Sequence, residues 1–120
     1  MRMLRSIAMA LALSAAACSD DSIAPCAHDL AITVSGPDPH FSWDGGCTVG
    51  SVVVRESGPN GPIMWMHFDV TNSTRSGVRY GGTRQLEPPL LVSGRVYVVT
   101  VGLIIGGDAI ATLGSREFTR

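Results

Sequence analysis

Apolar and polar positions alternate along this chain in short runs, and clusters of Gly, Pro, Asn and Asp separate the runs. No window repeats apolar residues at helical spacing for three turns, so strands are expected. Residues 27–35 read as a first strand, stopped by Gly36-Pro37-Asp38-Pro39. Residues 40–44 make a short second strand that ends at Gly45-Gly46, and 48–56, dense in Val, make a third. The run from Ser57 to Pro62 is the strongest turn signal. In 63–70, Met64, Met66, Phe68 and Val70 share one face, while Ile63, Trp65, His67 and Asp69 share the other. That alternation predicts one face on a core, with His67 and its neighbours on a polar outer face.

Residues 71–77 form a polar loop, and 78–80 a short strand or extended coil. Residues 85–92 are irregular, because Pro88-Pro89 cannot sit within a ladder. A long apolar strand spans 95–105, Gly106-Gly107-Asp108 turns it back, and 109–119 completes a hairpin. About seven short strands with regular turn signals predict an all-β, seven-stranded antiparallel sandwich.

The first residues carry a different pattern. Arg2 and Arg5 precede an apolar stretch, 7–17, broken only by Ser14, and small residues lead out of it. This is the layout of a secretory signal, and the stretch falls short of the roughly 20 residues a spanning helix needs. Ala15-Ala16-Ala17-Cys18 resembles the end of a bacterial lipoprotein signal, although Ala15 stands where Leu is more usual. The resemblance implies removal of residues 1–17, a lipid on Cys18, a polar tether over 18–25 and a single domain over 26–120. The membrane is then a partner through the lipid, with the outer membrane or cell surface favoured. The alternative is a plainly secreted protein, since Ala15-x-Ala17 also suits ordinary signal peptidase.

Composition adds limits. Every cation is Arg, and the formal net charge of −1 with no basic block argues against nucleic acid. Three cysteines are an odd number. Lipidation of Cys18 leaves Cys26 and Cys47, which an exported location permits to pair; the alternative is two free thiols.

The segment Leu91-Val92-Ser93-Gly94-Arg95-Val96-Tyr97 resembles the E–F corner of fibronectin type III modules, with Ser93 in place of the usual Pro. Leu91 lies six before Tyr97, and Val99 and Val101 follow at even spacing. The resemblance implies a tyrosine corner, in which the Tyr97 ring enters the core and its hydroxyl bonds nearby backbone. Phe41-Ser42-Trp43 matches the second-strand Trp of such modules, and Gly114-Ser115-Arg116-Glu117-Phe118-Thr119 resembles their last strand. In such an Ig-like or fibronectin type III-like sandwich, Cys26 and Cys47 lie at one pole. Residues 36–39 and 57–62 lie at the other.

Candidate chemistry is sparse. His28-Asp29 and Asp38-Pro39-His40 offer no third metal ligand at a useful spacing, and Ser57-Gly58 and Ser93-Gly94 are turns, not nucleophile elbows. Asn72-Ser73-Thr74 matches a glycosylation sequon, which means little in a bacterial lipoprotein. The expected role is a non-catalytic binding, adhesive or structural module with no cofactor and no metal. Its partner is an unidentified protein or glycan. The competing reading is a carbohydrate-binding module that uses exposed aromatics such as Trp65, with His67 beside it.

Overall fold

The computed structural model describes residues 23–82, 88–107 and 109–120. Cys18, the signal residues and the first part of the tether lie outside them. Seven strands form two antiparallel sheets, an all-β sandwich. One sheet orders β1 (Ile32–Ser35), β2 (His40–Trp43) and β5 (Val78–Arg79). The other orders β4 (Ile63–Phe68), β3 (Ser51–Glu56), β6 (Val96–Gly106) and β7 (Ala109–Thr119). The sequence boundaries hold to within a few residues, except that the first strand begins at Ile32.

The inward residues follow from period-two alternation. Val52 and Val54 of β3, and Tyr97, Val99 and Val101 of β6, fill the centre. Ile32, Phe41 and Trp43 close it from the smaller sheet. Phe118 stacks against both Phe41 and Tyr97, with centroids 5.6 and 5.9 Å away.

β4 departs from the expected facing. Trp65 lies in the core, His67 is half-buried, and Met66, Phe68 and Val70 are exposed. The register explains this: the inward Val52 and Val54 pair with His67 and Trp65, while Arg55 pairs with Ile63, so Met64 is an extra residue in a bulge that turns Ile63 outward. Across the bulge the two faces of the strand exchange, so Ile63 and Trp65 point to opposite sides.

Strand direction sorts the loops into two poles. The N-terminal pole holds the incoming chain, residues 44–50, residues 69–77 and the β6–β7 turn. Pro25 bridges to Thr48, and Val49 to Thr74. The far pole holds residues 36–39, 57–62 and 88–95, where Ser57 donates its N–H to Val96 O and Gly94 to Arg120 O. Both turns expected at the far pole lie there. No described helix is long and apolar enough to cross a membrane.

Candidate functional site

The far pole carries a cleft of about 450 Å³ between the β1–β2 turn and the segment that leads into β6. Asp38, Pro39, Arg79, Tyr80, Pro89 and Leu90 line it. Proline cannot donate a main-chain hydrogen bond, so the 88–91 segment needs other supports. Tyr80 supplies one, donating its hydroxyl to Pro89 O at 2.8 Å. Tyr97 supplies the next, accepting the Val92 N–H at 2.8 Å. Burial first, and the neighbouring Tyr97 second, push Tyr80 up to about 12, so it remains a donor throughout the physiological range. Gly81 has a positive φ of 75°, and a Cβ there would come within 2.9 Å of Pro88, so a bare backbone is needed for the close approach.

The resulting rim is fixed and partly apolar. Leu90 is 89 % exposed above it. Arg79 pairs with Asp38 at 3.3 Å. Both side chains are more than half exposed, so the pair adds little stability and stays available to a ligand. A second recess of about 270 Å³ continues past Pro37 and Pro39 along Arg116 to Arg120. Its Arg116 is held in place by donating to Ile32 O at 3.0 Å. The surface can hold an extended chain through apolar contact and guanidinium hydrogen bonds.

The residues singled out on β4 do not form a surface site. Trp65 is only 7 % exposed and packs on Tyr80, with ring centroids 5.5 Å apart. A sugar cannot stack on that ring, so Trp65 is withdrawn as an exposed binding aromatic. His67 lies over Trp65 and shares a 2.8 Å hydrogen bond with the Thr74 hydroxyl. Burial lowers its pKa, and the charge of Asp69 works the other way.

Asp69 organises the loop that follows. Its carboxylate accepts from the Thr71 hydroxyl at 2.6 Å, from Thr71 N at 3.0 Å, from Ser73 N at 2.9 Å and from the Thr74 hydroxyl at 3.2 Å. These donors, the Thr71 hydroxyl foremost, hold its pKa below the ordinary carboxylate value. Its acceptor capacity goes to its own loop, which marks the group as structural.

Cys26 and Cys47 form a disulfide with Cα atoms 4.8 Å apart, as expected. Tyr97 makes the corner bond, and Leu91 is buried beside it. The two metal-like pairs stay apart. His28 approaches Asp44 at 3.9 Å, and His40 Nδ1 donates to the Asp38 carbonyl at 2.9 Å. Among the described residues no group of three His, Cys, Asp or Glu is placed to hold a metal. The supporting role of Tyr80 was missed; a Tyr nine residues before Pro89 carries no local signal of the bond it makes. Comparison with protein families, curated proteins and solved structures finds no match.

Proposed function

We propose that this chain is a lipid-anchored, non-catalytic module of the bacterial cell envelope, with a fibronectin type III-like sandwich that meets a protein partner through the far-pole cleft. The observation that carries the reading is the separation of the two ends. The chain enters at the pole stapled by Cys26 and Cys47, and the cleft lies at the opposite pole. A lipid on Cys18 would hold the first end near a membrane through a tether of about seven residues, at most roughly 25 Å long, and leave the cleft facing outward.

Support for the fibronectin type III-like part comes from the three-plus-four strand order and from the Tyr97 hydroxyl, which accepts the Val92 N–H. Support for a protein ligand comes from the cleft itself, in which prolines and Leu90 alternate with Arg79 and Asp38.

Metabolic labelling with an alkyne fatty acid tests the anchor. Wild type takes the label and Cys18→Ala does not; an unlabelled wild type overturns the anchor. A photo-crosslinking residue at position 90 tests the cleft against the same residue at position 33, which is exposed on β1. A discrete adduct from position 90 alone is expected. Equal or absent adducts at both positions overturn the cleft assignment.

A further inference from the structure

The N-terminal pole is an apolar tip. Val70 is 76 % exposed and Ile105 65 %, and Ile23 and Ile110 are also open to solvent. They belong to three separate segments that the fold ties together. Pro25, two residues after Ile23, bridges to Thr48. The Thr48 hydroxyl donates to Asn72 O at 2.7 Å. Asn72 is bonded through both polar atoms of its side chain to the backbone of Ile104, which pairs with Ile110. The apolar side chains therefore stand on a braced platform and not on independent loops.

Resting on the lipid-anchor reading, we propose that this pole lies against the bilayer, with Val70 and Ile105 seated at the headgroup–acyl boundary. The position of the outlying chain argues for this occupant. Ile23 is the fifth residue after Cys18, a span of at most about 18 Å. A lipid on Cys18 keeps Ile23, at the edge of the tip, within that distance of the membrane surface. Amphipathic surfaces bind bilayers through buried apolar area together with charge. Here charge gives no attraction to anionic headgroups, since the segments at this pole carry Asp29, Asp44 and Asp69 against Arg75. The contact therefore rests on apolar area, and salt, which screens the acids from anionic headgroups, does not weaken it.

The test uses the full chain carrying Ile105→Trp, with Leu90→Trp at the far pole as control. The protein is reconstituted in phosphatidylethanolamine–phosphatidylglycerol vesicles whose acyl chains carry bromine. Emission is read as the difference from wild type, because Trp43 and Trp65 are buried. The Ile105→Trp signal is expected to shift to shorter wavelength and lose most of its intensity, with no weakening on added salt, while Leu90→Trp keeps its intensity. Val70→Trp should repeat the result if Ile105→Trp perturbs the turn. Fatty-acid label on Cys18 with no quenching at positions 105 and 70 overturns this inference and leaves the anchor standing. If no label is found, the anchor reading fails. Cys18, the one cysteine outside the disulfide, is then coupled to a maleimide lipid, and the same quenching measurement decides whether the tip meets the bilayer.

Discussion

The side chain of Asn72 completes the backbone of Ile104. Ile104 N–H donates to Asn72 Oδ1 at 2.8 Å, and Asn72 Nδ2 donates back to Ile104 O at 3.0 Å. The two residues are 32 apart in sequence, so the 69–77 loop grips β6 as a strand partner would. Asn72 has a φ of 55°, a left-handed backbone that Asn tolerates better than most residues. Gly50 leaves the space for its amide, because a Cβ there would run into Asn72 Oδ1. The Asn72 of the sequon thus has a structural role in the folded domain.

Asn72→Ala loses two hydrogen bonds and gains backbone strain, an expected cost of about 2–3 kcal/mol. Asn72→Gly keeps the backbone and loses only the bonds, so its cost should be smaller. Urea midpoints measure both. Gly50→Ala is expected to destabilise wild type more than it destabilises Asn72→Gly, because the closest clash is with the amide, while the approach to Asp69 O at 2.7 Å remains in both.

Tyr97→Phe leaves the ring in place and orphans the Val92 N–H, an expected loss of about 1–2 kcal/mol. Tyr80→Phe instead frees Pro89 O, which can turn toward water more readily than a buried group. Its main effect should be faster proteolysis of the 88–91 segment, with a smaller change in urea midpoint.

The two tyrosines also show what a single sequence discloses. Tyr97 could be read because its partner is five residues away and the intervening turn has a pattern of its own. Turns and β-branched runs were legible for the same local reason. The facing of β4 was not. Both faces of residues 63–70 carry large apolar groups, so hydrophobicity alone does not choose between them, and the bulge at Met64 is a property of pairing with β3. The bond from Asn72 to Ile104 and the far-pole cleft likewise depend on segments joined only by tertiary structure. Of the candidate site, the disulfide and the corner were legible, and the cleft lining was not.

Reduction of the Cys26–Cys47 bridge is expected to cost about 3 kcal/mol, because it releases a 21-residue separation in the unfolded chain. Thermal unfolding with and without reductant measures it. Trp43 offers a local reporter, since its indole N–H donates to Cys47 O at 2.9 Å. Its fluorescence should change on reduction before global unfolding.

Stability should fall in acid in two stages. Burial holds the folded pKa of His67 below its ordinary value of 6.5, so the fold favours the neutral ring. Its contribution is complete above that value and is lost as pH drops below it, where the unfolded chain binds the proton first. Asp69 is held below 3.8 by its Thr71 hydrogen bond, so its contribution is present above that value and is lost as pH falls further. Urea midpoints at about pH 7.5 and 5.5 read the first stage. His67→Gln should flatten it and leave the second intact.

The bridge at Cys26 also sets how the domain meets mechanical force. A pull on the chain ahead of Cys26 reaches a covalent bond before it can strip any strand. The load crosses to Cys47 and enters β3, and the Cys26 N–H bond to Thr48 O lies alongside it. β1 and β2 fall inside the closed loop and out of the line of tension. The first hairpin cannot be unzipped from its end. Extension must instead shear β3 from β4 and β6, loading several ladder hydrogen bonds at once, which suits a domain tugged at one end and gripped at the other.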